Sequence, residues 1–277
     1  MANIKQASVK KILNAIKKLK DEEFNIFIAQ YNKLIKEGIY TDHVNKDTLL
    51  EIVRYKSSVV DGLTSLNEYI EREKDKKERK KEIYYIVGED ENILRNSPLL
   101  EAYKKNDLEV LILDDKELDE IITPTIGEYK EWKLVDVSMV DAPSVKESKE
   151  ELEELTKEYE NLIKIIKEEL GDKVKDVHIT TRLEESLSCV VPDSADPMVS
   201  MRHMFAQMGQ EVPDIPLILE INAKHELIKK LKDSSDLELI KDSAWILLDS
   251  AKLAEGLELS DKIGFGKRVA RLLEKAV

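Results

Sequence analysis

The residues that most often carry catalysis or metal binding are few in this chain, and they are scattered. None of the four histidines, His43, His178, His203 and His225, pairs with a cysteine or a carboxylate at metal-ligand spacing. The single cysteine, Cys189, lies in an apolar run with no basic residue nearby in sequence. That setting is typical of a small buried hydrophobe and not of a nucleophile. The sequence therefore predicts neither a catalytic site nor a metal site.

Phosphate binding is disfavoured on two grounds. A phosphate cradle needs a glycine-rich loop that lets backbone N–H groups approach the anion. The one close pair among the nine glycines, Gly264 and Gly266, lies inside a helical pattern with no strand before it. In addition, 57 acidic and 44 basic side chains give a net charge of −13, which repels phosphate backbones. We therefore expect no nucleotide at these glycines and no nucleic-acid partner.

The bulk composition is that of a protein with packed cores. A length of 277 residues is enough for two domains, at about 150 residues each. A hydrophobic content of 42% supports a core in each domain. No apolar run approaches the roughly 20 residues that cross a bilayer, and one cysteine cannot form an intrachain disulfide. These features predict a soluble cytoplasmic protein without a membrane partner.

The first part of the chain is helical in pattern. Apolar residues recur three and four positions apart from Val9 to Leu19 and from Phe24 to Ile35, and a third helix is predicted over 46–55. Ser65 and Glu68 form a capping box, in which each side chain satisfies a free N–H group at a helix start. This box predicts a fourth helix that runs into the charged sequence after it.

A strand–helix–strand pattern follows, which indicates a small parallel α/β unit. The predicted elements are a strand at 83–87, a helix that begins at Ser97 and Pro98, a strand at 109–113, a short helix from about Asp115 and a strand at 133–137. The sequence around Pro143 has no periodicity, so we place a domain boundary there. The expected domains are 1–143 and 144–277.

The second domain is predicted to be mixed α+β, so that the whole chain combines α/β and α+β architecture. Its predicted elements are a long helix from a capping box at Ser148 to Gly171, strands at 174–179, 187–191 and 217–221, a helix at about 197–208 and a helical tail.

Four of the six methionines fall within eleven residues and, with a phenylalanine, give a helix face that steps by three, four and three. Methionine is flexible and polarizable, so a surface built from it can repack around differently shaped apolar partners. Periodicity alone leaves open that the face is buried in the core of a purely structural module. The residues are Met198, Met201, Met204, Phe205 and Met208.

The chain ends in two amphipathic helices. Such helices can fold back on their own domain, but an apolar stripe left open is an aggregation liability, which favours a homodimer. The stripe residues are Leu237, Ile240, Ala244, Leu247, Leu248 and Ala251 on the first helix, and Ile263, Val269, Leu272 and Leu273 on the second.

Six segments are spread along most of the chain. They are Lys36–Asp42, Ser65–Leu66 with Tyr69, Ile83–Gly88, Ser97–Glu101, Gly171–Val177 and Leu219–Asn222. Taken together and in this order, they resemble the ninety-kilodalton heat-shock chaperone family in its bacterial form.

The resemblance implies that residues 1–143 are the C-terminal part of a chaperone middle domain and residues 144–277 a dimerisation domain. In the family, the last two helices form a four-helix bundle with those of a second protomer, and the methionine helix contacts partly unfolded client proteins. A further client patch is implied at Glu120 and Ile121, where bacterial members often carry a tryptophan. Pro124 stands where a polar residue is usual.

The family is an ATP-dependent molecular chaperone. Its nucleotide-binding domain, which holds ATP and Mg²⁺, would precede residue 1. We therefore expect this chain to hold neither cofactor and to have no enzymatic activity of its own.

Overall fold

The computed structural model describes residues 2–76, 80–140, 149–199, 201, 205 and 216–276. It contains two compact units. The first unit comprises Met1–Val87 and Glu109–Val135, and the second comprises Gly88–Leu108 and Asp136–Val277. The segment 88–108 thus belongs to the second unit, although the strands on either side of it belong to the first. The predicted domain boundary at Pro143 falls outside the described residues.

Three helices open the first unit, as the apolar periodicity predicts: α1 (Ala2–Ile16), α2 (Asp21–Thr41) and α3 (Lys46–Ile52). Each buries one apolar stripe in a shared core, for example Ile28, Ile35 and Ile39 of α2. The third helix ends at Ile52 and not at Tyr55, because the backbone turns extended at Val53.

The first unit contains a six-stranded sheet in the order β2-β1-β4-β3-β6-β5. The predicted parallel pair is confirmed, since Tyr84 lies opposite Val110 and Val87 opposite Leu113. The antiparallel pair of β1 and β2 was not predicted. The strands are β1 (Tyr55–Ser57), β2 (Leu63–Thr64), β3 (Glu82–Val87), β4 (Val110–Leu113), β5 (Glu128–Tyr129) and β6 (Trp132–Asp136).

Helix α4 (Leu66–Glu73) confirms the capping box. The Glu68 amide donates to Ser65 Oγ at 3.2 Å, and the Ser65 amide donates to the Glu68 carboxylate at 2.7 Å. The helix enters the charged run at Glu71, as predicted, and ends at Glu73. No apolar stripe runs through those charges, so packing cannot hold further turns.

The second unit is built on a three-stranded sheet in the order β7-β9-β8, in which β9 is parallel to β7 and antiparallel to β8. Its strands confirm the three predicted ones. They are β7 (Asp176–Ile179), β8 (Ser188–Val191) and β9 (Ile218–Ile221). The helices of the crossover segment are α5 (Glu91–Arg95), a 3-10 turn (Pro98–Leu100) and α6 (Glu101–Lys105).

The predicted long helix of the second unit is two helices, α8 (Lys149–Glu158) and α9 (Glu160–Leu170). They are interrupted at Tyr159, whose buried hydroxyl donates to the carbonyl of Ala223 at 2.8 Å. The second core lies between the sheet and these helices and runs from Tyr159 to Ala251 in sequence. The remaining helices are α7 (Lys116–Ile126) in the first unit and α10 (Glu226–Lys232), α11 (Leu237–Ala254) and α12 (Lys262–Ala276) in the second.

Polar contacts hold the segment 88–108 in the second unit. The Glu101 carboxylate accepts backbone N–H bonds from three consecutive residues, 184–186, at 2.6 to 3.1 Å. Ser97 Oγ donates to the Glu255 carboxylate at 2.7 Å. Because these partners lie about 80 and 158 residues apart, sequence periodicity cannot reveal them. Within the described ranges, no helix is both long and apolar enough to cross a membrane.

Candidate functional site

The methionine segment belongs to the second unit and lies between β8 and β9 in sequence. Its described start is helical over 197–199, with Val199 buried. Met198 and Phe205 are half-buried, whereas Met201 is 37% exposed. Met204 and Met208 lie outside the described residues. The part of the predicted face that can be placed therefore has one exposed methionine between two half-buried side chains.

Lys175 forms ion pairs with two carboxylates at the start of this segment. Its ammonium lies 2.8 Å from Asp193 and 2.5 Å from Asp196, and the hydrogen bonds to both carboxylates raise the pKa of Lys175. Asp196 also accepts the backbone N–H of Met198 at 2.9 Å, which caps the helix that begins there. The segment is thus anchored where it leaves the sheet.

The other predicted client residues, Glu120 and Ile121, are half-buried on α7 in the first unit. The helix is fixed by its neighbour Asp119, whose carboxylate lies 2.7 Å from the buried ammonium of Lys36. Pro124 lies inside the same helix and removes one backbone donor there.

The predicted interface residues of α11 divide into two groups. Leu237 is 56% exposed, but five others are buried in the second core of the same chain. For these five, the expectation of an open stripe does not hold, because α11 packs against β8 and α9. The buried residues are Ile240, Ala244, Leu247, Leu248 and Ala251.

The predicted interface residues of α12 are more open. Ile263 is 75% exposed and Leu273 is 61% exposed, while Val269 and Leu272 are half-buried. Among the described residues, no apolar side chain of α12 belongs to the second core or packs against it. This helix therefore carries the open part of the predicted interface.

A buried polar cluster in the second unit was missed by the sequence reasoning. Arg182 lies 2.8 Å from Glu220, and both are buried beside Cys189. Burial raises the pKa of the Cys189 thiol well above its ordinary value, so the thiol is protonated near neutral pH and a poor nucleophile. Partial burial also raises the pKa of Glu255 to about 7, against smaller opposing effects of Ser97 and Arg182.

Among the described residues, those that the sequence marked for possible chemistry do not assemble into a site, and His203 lies outside the described residues. His178 lies 3.1 Å from Asp176 on the surface, and His225 caps α10 by accepting the amide of Leu227. Over the ranges that the structure describes, no group of three or more histidine, cysteine or acidic residues is placed to hold a metal. Gly264 and Gly266 lie within helix α12, so they do not form the loop that an ATP phosphate needs.

Comparison with known proteins identifies the family. The family model described as "Hsp90 protein" matches residues 1–277. The chain is 62% identical to the chaperone protein HtpG of a Sulfurovum species and 54% identical to that of Aliarcobacter butzleri, in each case over its whole length. It is 42% identical to the HtpG of Treponema denticola over 99% of its length. The chain spans 44% of the length of each of these relatives. It belongs to the Hsp90 family of chaperone proteins.

Proposed function

We propose that this chain is the client-binding and dimerising portion of an ATP-dependent cytoplasmic chaperone, and that it does not itself hydrolyse ATP. The observation that carries the proposal is the placement of Met201. It is exposed on a segment that lies between β8 and β9 in sequence, and ion pairs of Lys175 hold the start of that segment. An anchored apolar surface can meet a partner without first unfolding its own domain.

The chemistry of this surface suits varied partners. Methionine has three rotatable bonds and a polarizable sulfur, so Met198 and Met201 can adapt to side chains of different shape. Partly unfolded chains expose such apolar side chains without a fixed order. We therefore infer weak, adaptable binding to unfolded clients, with Glu120 and Ile121 as a second contact surface on the first unit.

Self-association is the second part of the proposal. The exposed side chains of Ile263 and Leu273 are covered by no part of their own core, and their burial against a second copy would remove apolar surface from water. We infer that the partner is the same surface of another copy, related by a two-fold axis.

The client proposal is tested by Met201→Asp/Phe205→Asp. The probe is a reduced, carboxymethylated lactalbumin that cannot refold, with binding followed by fluorescence anisotropy. We expect the double variant to lose at least about tenfold in affinity, because two carboxylates cannot be desolvated against an apolar partner. The matched control is Ile26→Asp/Leu34→Asp, which adds the same charges at exposed apolar sites of the first unit.

An alternative is a structural interaction module whose methionine face serves its own core, and the half-burial of Met198 and Phe205 favours it. This alternative predicts that the parent chain does not bind the probe and that Met201→Asp/Phe205→Asp lowers the urea midpoint. Equal binding by the parent and the double variant would also contradict the client proposal.

A calorimetric titration of the chain with Mg-ATP should give no saturable heat.

A further inference from the structure

Charged side chains of the last helix, α12, attach it to its unit. Its apolar residues are absent from the second core, as far as the structure describes them. Three ion pairs instead join it to α11 and the residue before it. We call these pairs the tail ladder: Asp236 with Lys275 at 2.6 Å, Asp242 with Arg271 at 2.7 Å, and Asp249 with Arg268 at 3.8 Å.

The tail ladder runs antiparallel. The acidic residues ascend along the chain while their basic partners descend, so the two helices lie in opposite directions with one partner for each acid. The innermost pair is the most enclosed, since both Asp249 and Arg268 are largely shielded from solvent. The Arg268 guanidinium also lies 4.7 Å from the ring centroid of Trp245, which adds a cation–π contact.

The shifts in the pKa values of the three aspartates agree with the geometry of the tail ladder. The hydrogen bond from Arg271 lowers the pKa of Asp242, and the hydrogen bond from Lys275 lowers the pKa of Asp236. Burial raises the pKa of Asp249, although the charge of Arg268 opposes this. The two outer acids are therefore ionised at neutral pH and able to hold their partners.

Helix α12 has two different faces. Arg268, Arg271 and Lys275 step by three and four and share the face that meets α11. An exposed apolar stripe steps by three, four and three along another side. It consists of Ile263, Gly266, Ala270 and Leu273. At 3.6 residues per turn, Leu273 lies two positions from both Arg271 and Lys275 and hence on the far side of the helix.

We infer that the tail ladder is a positioning device for self-association. Apolar contact alone does not fix the direction of a helix, and no described apolar side chain of α12 belongs to the second core. The ion pairs therefore set which side of α12 faces outward, and they present the stripe of Ile263 and Leu273 to a second copy. This inference rests on the proposed self-association and adds that association depends on ionic strength through Asp242 and Arg271.

The first experiment varies the ionic strength. Exposed ion pairs are screened as ionic strength rises, whereas apolar burial is not weakened by salt. We expect the dissociation constant of the parent chain to rise several-fold, about threefold to tenfold, between about 0.05 M and about 0.5 M NaCl. Equilibrium sedimentation over a range of protein concentrations measures it.

Charge exchange is the decisive experiment. Asp242→Arg and Arg271→Asp each place like charges together, and we expect each to weaken association by about tenfold at low salt. The double exchange restores the pair and should bring the constant back to within about threefold of the parent. The control is the exchange of Lys81 and Glu131, an exposed pair of the first unit whose charged atoms lie 2.6 Å apart.

The outcomes separate the two proposals. A parent chain that is monomeric at both salt concentrations contradicts the proposed self-association itself. A dimeric parent whose single and double variants all associate equally overturns the tail ladder alone. If Arg271→Asp unfolds α12, circular dichroism detects the loss of helix, and failure of the double exchange to restore association then overturns the inference.

Discussion

The two helices that end the chain look alike in sequence but are covered in different ways. Both carry apolar residues at helical spacing, yet Leu248 on α11 is 1% exposed and Ile263 on α12 is 75% exposed. Helix α11 packs on the sheet and on α9, whereas α12 is held by the tail ladder. Helical spacing therefore identifies an apolar face but does not show whether the same chain or a second copy covers it.

Deletion of apolar atoms should affect the two helices most differently. Leu248→Ala should destabilise the second unit by about 2–5 kcal/mol, because it leaves a cavity in a closed core. Leu273→Ala removes the same atoms from an exposed site and should cost less than about 1 kcal/mol. Urea denaturation measures both, at a protein concentration low enough to keep every chain monomeric so that a second copy does not bury Leu273. Equal losses would show that the two helices do not differ in cover.

The acids at the two helices should respond to pH in opposite directions. Glu255 follows α11, and its pKa is raised to about 7 in the folded protein. Its proton is held more tightly when folded, so this group favours the folded state at low pH. That stability is lost as pH rises from about 4.5 through 7, by about 1–3 kcal/mol.

Asp242, at the tail ladder, has a lowered pKa. Its contribution is present above the ordinary value of about 3.9 and is lost only as pH falls through the lower folded value. Urea unfolding at several pH values between about 4.5 and 8 isolates Glu255. In Glu255→Gln, which can still accept the Ser97 hydroxyl, the decline across that window should disappear. A decline of unchanged size would remove Glu255 as its source.

A double variant of α12 tests whether its apolar stripe contacts a second copy or its own core. Ile263→Asp/Leu273→Asp should weaken self-association by about tenfold to a hundredfold and leave the urea midpoint of the monomeric chain unchanged. Sedimentation and urea denaturation give the two values. Ile26→Asp/Leu34→Asp, at similarly exposed sites of the first unit, should change neither. A loss of folding in the tail variant would mean that α12 supports the core after all.

The smallest effect is expected at the contact between the two helices. Arg268→Met removes the cation over the Trp245 ring and the ion pair with Asp249, and should cost about 1–2 kcal/mol. Arg268→Lys should lose less than Arg268→Met, because a cation is retained. In a Trp132→Phe background, the emission of Trp245 reports the change. Identical spectra in both variants and the parent would argue against the contact.

Local features were the most predictable from sequence. The parallel strands around Tyr84 and Leu111 and the capping box of Ser65 depend on neighbouring residues, and each is confirmed. The hairpin at Tyr55–Ser57 was missed because strands of three and two residues are too short to show alternation. The break at Tyr159 was missed because no glycine or proline lies there to indicate a helix end.

The candidate surfaces were predictable only in part, for the same reason. The spacing from Met198 to Phe205 and along the tail indicated apolar faces. It could not distinguish Leu247, which is buried in the core, from Leu273, which is exposed. Burial depends on which elements pack against the helix in the folded chain. The ion pairs of the tail ladder join residues 19 to 39 positions apart (268 − 249 and 275 − 236), beyond the reach of local patterns.

The mass of the chain in solution shows most directly whether α12 joins two copies. Sedimentation equilibrium at micromolar concentration and low salt should give twice 31.8 kDa, because α12 presents an open apolar stripe to a second copy. A single mass of 31.8 kDa across the same range would contradict the central claim that this stripe joins two copies.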